Sequence, residues 1–194
     1  MMNTREEKLF HKLQIYFQMG QSIAIVNPMD PRKKEIIKLF EDEVLSEWDT
    51  IYVDFNEVKK PCDLAKMIVE QSMGIVSKYN DIVIDIENIE YKDDYRCLDR
   101  TLNLSEEIAK QMNKHVVFIA KNYTHVLNLG KGEQIQEHMR AIFQHQYNVK
   151  TIFTGESKES LNKIFMNSSA PFFRFSEIID TNNEGKGYNP RLDL

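Results

Sequence analysis

Apolar runs alternate with helix-period segments over the range His115–Ile179, and this alternation limits the chain to few folds. Val116–Ile119 and Thr151–Phe153 are compact β-branched and aromatic runs, and the segment between them has apolar residues at helical spacing. Strands that are covered on both faces of a parallel sheet have such near-continuous apolar sequences. We therefore expect two central strands here, and we interpret the aromatic run Pro171–Phe175 as a third buried strand.

The chain before His115 supplies the remaining elements. Its patterns predict helices over 4–19, 33–47, 61–79 and 95–113, and strands over 22–26 and 50–55. Ser105 is a candidate cap that would interrupt the fourth of these helices. Residues 81–90 alternate isoleucine with acidic side chains, which favours a half-buried strand but leaves a loop open. We expect one three-layer α/β/α domain over 1–179, with a mainly parallel sheet of about five strands, and a flexible tail over 180–194.

Composition and charge exclude several classes of protein. The 194 residues, 42% of them apolar, fit one globular domain with a single core. No apolar run approaches the roughly 18 residues of a membrane span, and the first residues lack the apolar segment of a signal peptide. Cys62 and Cys97 form no CxxC pair, so we expect a cytoplasmic protein without membrane contact. We do not expect nucleic acid as a partner, because the formal charge of −5 gives no general attraction to phosphates.

Three segments, Asn148–Gly155, Leu161–Phe165 and Pro171–Phe173, occur in a characteristic order. A strand that ends in "I-F-x-G" is followed by a short helix that ends in "I-F", and then by a "P-F-F" segment. With the strand and helix order over roughly residues 5–179, this resembles the prokaryotic AAA-type P-loop ATPases, often called archaeal-type ATPases. The resemblance implies a P-loop ATPase fold with a Walker A loop after the first strand and a Walker B strand later in the chain.

The segment in the Walker A place departs from the family motif. The motif GxxxxGK[ST] uses glycines to bring backbone N–H groups to the phosphates, a lysine for phosphate oxygens and a hydroxyl for Mg²⁺. Lys33 stands at the lysine position, but Asn27 and Arg32 stand at the glycine positions and Lys34 replaces the hydroxyl residue. Two prolines in the loop also remove N–H donors. The resemblance therefore implies a degenerate phosphate site, in which these four residues would make any residual contact.

The other motif positions that the resemblance implies are altered too. A Walker B strand ends in Asp-Glu, which hold magnesium and orient water, whereas Val116–Ile119 is followed by Ala120 and Lys121. Glu156 stands at the sensor position, where the family tends to have serine. Arg140 is a candidate for an arginine that faces a neighbouring subunit or nucleotide.

Two further groups of residues admit a functional reading. The acidic segment Asp81–Asp99, with Glu90 and Lys92, echoes the carboxylate and lysine arrangement of metal-dependent nucleases, although a solvated acidic face explains it as well. His138 and His145 lie seven positions apart on a predicted helix, whereas helical zinc pairs are more often four apart. We interpret them as surface or packing histidines and expect no metal site.

The sequence thus predicts an ATPase-like domain that is catalytically inactive and acts by binding another protein or a second copy of itself. We expect no catalytic residues and no cofactor, with ATP or phosphate as the open possibility. One alternative is a nucleotide- or phosphate-binding domain without efficient hydrolysis, anchored by Lys33. The other alternative is a metal-dependent nuclease that uses the acidic segment.

Overall fold

The structure is a computed structural model that describes residues 4–19, 22–79, 81–84, 89 and 95–182. In chain order its elements are α1 Thr4–Gln18, β1 Ile23–Val26, α2 Pro31–Glu47, β2 Asp49–Asp54, α3 Pro61–Val76, α4 Tyr95–Met112, β3 Val116–Lys121, a 3₁₀ helix Tyr123–Asn128, α5 Gly132–Phe143, β4 Val149–Gly155, α6 Lys158–Phe165 and β5 Glu177–Ile179. None of these helices has the length and apolar content that crossing a bilayer requires.

The five strands form one parallel sheet in the order β2-β3-β4-β1-β5. The central strands β1, β3 and β4 are buried along almost their whole length, as their continuous apolar sequences predict. The prediction of a parallel α/β sheet of about five strands is confirmed.

Helices α1 and α2 cover one face of the sheet. The apolar face of α2, which includes Phe40, packs with Phe17 of α1 against Ile25 and Ile119 of the strands. The spacing of the apolar positions in α2 follows the helical period, so its core face could be read from the sequence.

The other face is covered by α3, α4, α5 and α6. Ile68 of α3, Leu102 of α4 and Met139 of α5 lie in one cluster with Phe118 and Phe153 of the sheet. The molecule therefore has three layers, and every strand-to-strand connection runs through a helix on one face or the other.

The prediction of a buried strand over Pro171–Phe175 is wrong. These residues form consecutive turns, and only Glu177–Ile179 join the sheet as β5. The chain turns because Arg174 adopts a left-handed conformation with φ of 55°, and its N–H donates to the carbonyl of Phe165 rather than to a strand. Phe172 is nevertheless fully buried, so the run supplies core side chains without strand geometry.

The structure also answers the expectation for α4 and part of that for residues 81–90. Helix α4 runs without interruption through Ser105, whose buried hydroxyl donates to the carbonyl of Leu102 within the helix. Residues 81–84 and 89 belong to no strand, and the remaining residues of the 81–90 segment lie outside the described residues.

Candidate functional site

All five strands point the same way, so their carboxyl ends meet at one edge of the sheet. Open parallel sheets bind ligands at this edge, and it carries the β1–α2 loop that the sequence places at the Walker A position. The last residues of β2, β3 and β4 lie here as well, together with the residues that follow β5. We call this the carboxyl edge.

The N–H groups of the β1–α2 loop are mostly used within the molecule. Asn27 donates its N–H to the carbonyl of Gly155 at 2.7 Å, and Met29 donates to the side-chain oxygen of Asn182 at 3.0 Å. Pro28 and Pro31 carry no N–H. The loop therefore has few donors left for a phosphate group.

The first turn of α2 is capped by its own acidic residue. Asp30 has extended backbone angles and its carboxylate accepts from the N–H of Arg32 at 2.9 Å, while Pro31 fills the first helical position. The positive end of the helix dipole is thus already matched with a negative charge. An incoming anion would meet both a filled donor and a like charge.

Lys33, at the Walker lysine position, is bound to the segment that follows β5. Its ammonium donates to the carbonyl of Thr181. Thr181 is fully buried and its hydroxyl donates to the carbonyl of Val26 at 2.7 Å, at the end of β1. The side-chain amide of Asn182 adds a longer contact of 3.4 Å to the carbonyl of Asn27. Thr181 and Asn182, which the sequence assigned to a flexible tail, therefore contact the loop; residues 183–194 lie outside the described residues.

Lys121, at the end of β3, forms an ion pair with α2. Its ammonium lies 2.7 and 2.8 Å from the two carboxylate oxygens of Glu41, and both side chains are largely buried. A cation paired in this way stands where the resemblance implies the glutamate that orients the attacking water, next to Ala120 at the magnesium-binding position. The pair fastens the end of β3 to the loop-bearing helix instead.

A hydrogen-bond network joins the ends of β2, β3 and β4. Asn122 adopts a left-handed conformation with φ of 53°, its N–H donates to the hydroxyl of Thr154 at 2.9 Å, and its side-chain amide donates to Asp54 at 2.9 Å. Burial raises the pKa of the nearby Tyr52 hydroxyl, and the negative charges of Glu41 and Asp54 raise it further. The carboxyl edge around β2 is thus acidic and internally bonded.

The remaining predicted site residues make fewer contacts. Ala120 is fully buried in the core, and Arg32 and Lys34 are exposed. Glu156 is exposed, and its N–H donates to the hydroxyl of Thr124 at 3.4 Å. The structure therefore brings Asn27 and Lys33 into one bonded site but leaves Glu156 at its rim.

Other candidate residues lie away from the carboxyl edge. Arg140 lies near the amino-terminal edge of the sheet, with its guanidinium 4.8 Å from the ring of Phe175. His138 stacks on Tyr95 at 4.3 Å and contacts Asp99 at 2.6 Å, while His145 is exposed. Over the described residues, no group of three or more His, Cys, Asp or Glu side chains is arranged to hold a metal ion. Glu90 and Lys92 lie outside the described residues.

Sequence reasoning missed three residues that matter at the carboxyl edge. Glu41 lies in the middle of a helix among other acidic residues, and Thr181 and Asn182 lie in a polar segment without a motif. No local signal marks them, because their roles come from contacts with residues 80 to 155 positions away.

Solved structures with a similar fold include a Walker-type ATPase and proteins named ORC2 and Cdc6p. The Walker-type ATPase PABY2304 of Pyrococcus abyssi has a TM-score of 0.66 at 15% sequence identity, over 91% of this chain and 53% of that one. The ORC2 protein of Aeropyrum pernix in its ADP form has a TM-score of 0.59 at 12% identity, over 92% and 48% of the two chains. Cdc6p of Pyrobaculum aerophilum has a TM-score of 0.58 at 11% identity, over 93% and 45%.

These likenesses establish the fold of the chain as that of P-loop ATPases. The chain spans about half the length of the solved structures it matches. No protein-family model and no curated protein matches its sequence.

Proposed function

We propose that this chain is an ATPase-fold domain that does not hydrolyse nucleotide and acts by contacting another protein. The proposal rests on the β1–α2 loop, whose hydrogen-bond donors are bound to acceptors of the chain itself. Lys33 donates to Thr181, and the Met29 N–H donates to Asn182, so groups of the chain itself take the contacts that a phosphate would need.

Electrostatics at the loop support the same conclusion. A P-loop binds phosphate through several free N–H groups and the positive end of the following helix. In this chain the carboxylate of Asp30 occupies that helix end and the prolines remove two donors. A nucleotide would have to displace these acceptors and overcome the charge of Asp30.

The carboxylates that nucleotide hydrolysis needs are also missing from the Walker B position. Magnesium and the attacking water are held by carboxylates at the end of the Walker B strand, where this chain has Ala120 and Lys121. Lys121 is paired with Glu41, so its charge is used to hold β3 to α2. The core of the domain is intact, but the site where a nucleotide would bind is altered. We therefore assign the function of the domain to its surface.

A second candidate function is nucleotide binding without hydrolysis. It is favoured by Lys33, which still lies at the start of α2 beside the loop and needs to exchange only one backbone carbonyl for a phosphate oxygen. The names of two structural neighbours, a Walker-type ATPase and a protein solved in its ADP form, describe nucleotide chemistry in those proteins.

The test is a thermal-shift and calorimetric titration with ATP and ADP, each with and without Mg²⁺. A ligand that binds only the folded chain at about 100 times its Kd stabilises it by about 2.7 kcal/mol, which for a chain of this size is a shift of about 5–10 °C. We expect no shift for the wild type at millimolar nucleotide. ATP turnover should also be absent.

Lys33→Ala and Lys34→Ala form a matched pair for this experiment. Both remove a lysine from the first turn of α2, but only Lys33 bonds the segment after β5. We expect Lys33→Ala to lower the melting temperature and Lys34→Ala to leave it nearly unchanged. Magnesium-dependent stabilisation by ATP that Lys33→Ala abolishes and Lys34→Ala keeps would overturn the proposal in favour of nucleotide binding. Sedimentation velocity over a range of concentrations then tests whether the contacted protein is a second copy of the chain.

A further inference from the structure

A cavity of about 340 Å³ opens at the amino-terminal edge of the sheet, opposite the carboxyl edge. Its lining includes Ser22, which precedes β1, Thr151 in β4, Phe175, and the last turn of α5. This volume lies at the small end of the range for small-ligand sites in proteins.

Arg140 carries the charge of this cavity. Among the described residues that line it, no other side chain is ionisable. The guanidinium has one side-chain hydrogen bond, to the amide oxygen of Gln144 at 3.2 Å, and no carboxylate of the described residues forms an ion pair with it. Because a guanidinium has five N–H donors, most of its donor capacity is unused within this part of the chain.

The position of Arg140 is fixed by packing. Its guanidinium lies 4.8 Å from the centroid of the Phe175 ring, within the range of a cation–π contact. Burial lowers the pKa of Arg140, although an arginine keeps its charge at neutral pH. A charged, stacked and pre-positioned guanidinium loses little conformational freedom when a ligand binds.

The other groups in the cavity suit a small anionic ligand with an apolar part. The hydroxyls of Ser22 and Thr151 lie 2.5 Å apart, so one donates to the other and the second keeps an O–H hydrogen. Phe143 and Phe175 add apolar surface that can pack against methylene groups. A carboxylate matches the planar fork of the guanidinium with two oxygens, and its single charge balances the single charge of Arg140.

We propose that this cavity binds a carboxylate through Arg140, from a free small carboxylic acid or from an acidic side chain of another protein. The site lies at the edge of the sheet opposite the β1–α2 loop, and it does not depend on whether that loop binds nucleotide. If the carboxylate comes from a protein, the cavity is a docking point for a partner of the domain.

The experiment is an NMR titration of the folded chain that follows the backbone amides of α5 and the side-chain Nε–H of Arg140. The probes are glutarate, N-acetylglutamate amide and N-acetylglutamine amide, each at up to about 20 mM, which occupies most of a site with a Kd of about 1 mM. The last two probes have nearly the same shape and differ in charge. Glutarate represents the free acid, and the amide-blocked glutamate represents an acidic side chain in a protein.

Two arginine variants complete the design. Arg140→Gln removes the guanidinium from the cavity, and Arg174→Gln removes an exposed arginine that also lies over an aromatic ring, Phe173 at 4.9 Å. Arg140→Lys keeps a positive charge but loses the fork. The dispersion of the amide spectrum confirms that each variant is folded.

We expect the carboxylate probes to shift the Arg140 signals in the wild type and in Arg174→Gln. The affinity for these probes should fall at least about tenfold in Arg140→Gln and by a smaller factor in Arg140→Lys. N-acetylglutamine amide should produce no such shifts. A response to glutarate alone identifies a free acid as the source, and a response to N-acetylglutamate amide identifies a protein side chain. The proposal is overturned if no carboxylate probe shifts the Arg140 signals, or if Arg140→Gln and Arg174→Gln bind the probes equally.

Discussion

The ion pair between Lys121 and Glu41 gives the sharpest test of how the carboxyl edge is built. The ammonium contacts both carboxylate oxygens, and the exposed fractions of the two side chains are 24% and 13%. A double-mutant cycle with Lys121→Met, Glu41→Gln and the double variant isolates the interaction between the two side chains.

The expected magnitude follows from the burial of this pair. Exposed ion pairs contribute about 0–1 kcal/mol, whereas removal of one partner from a fully buried pair costs about 3–5 kcal/mol. Because Lys121 and Glu41 lie between these limits, each single substitution should lower the free energy of unfolding by about 1.5–3 kcal/mol, with a coupling energy of about 1–2 kcal/mol. For a chain of this size, the loss expected from each single substitution corresponds to a fall in melting temperature of roughly 3–12 °C.

Lys163 and Glu159 provide the control pair. They lie one turn apart on α6 at 3.0 Å, but their exposed fractions are 60% and 80%, so the same cycle should give a coupling of about 0.5 kcal/mol or less. Urea denaturation at low and high salt measures both cycles, and only the Lys163 pair should weaken strongly with salt. Equal coupling energies in the two cycles would refute the view that burial strengthens the Lys121–Glu41 ion pair between β3 and α2.

Three further substitutions test, by urea denaturation, the packing at the end of β4, the helix propensity of α3 and the burial of Lys150. Gly155→Ala should cost about 1–3 kcal/mol, because a methyl group there would lie 2.4 Å from a methyl carbon of Thr124; no loss of stability would mean that the end of β4 is less tightly packed than described. Gly74→Ala, in an exposed part of α3 with nothing within 4 Å, should instead stabilise by about 0.5–1 kcal/mol. Burial lowers the pKa of Lys150, whose ammonium donates to the carbonyl of Phe17, so just below the ordinary value of 10.5 the unfolded chain binds more protons than the folded one. The unfolding free energy of the wild type minus that of Lys150→Met should therefore rise with pH through that window, and a constant difference would contradict the pKa shift.

The fold could be predicted from the sequence because its signals are local. The runs Val116–Ile119 and Thr151–Phe153 are β-branched and aromatic segments, and they lie within β3 and β4. The apolar positions of α2 recur at the helical period and face the sheet. Such patterns report burial on one or two faces, which is enough to predict the layers of the domain.

Local patterns failed where a conformation depends on tertiary contacts. The aromatic run Pro171–Phe175 has strand composition, but Arg174 takes a left-handed turn and the run packs as turns over the core. The bond from Lys33 to Thr181 joins residues 148 positions apart. This contact depends on the strand order, which places β5 beside β1. No short sequence motif encodes such a contact.

The β1–α2 loop is shaped both by its own sequence and by contacts with distant residues. The sequence predicts lost donors from its prolines, and the structure adds acceptors for three other donors: the carboxylate of Asp30 for the Arg32 N–H, the side-chain oxygen of Asn182 for the Met29 N–H and the carbonyl of Thr181 for the Lys33 ammonium. Each of these hydrogen bonds is worth about 0.5–1.5 kcal/mol net, so a phosphate group that replaced all three would give up several kcal/mol before gaining any contact. Introducing a single Walker residue should therefore not produce nucleotide binding, because the competing acceptors belong to three separate residues: Asp30 at the start of α2, and Thr181 and Asn182 in the segment after β5.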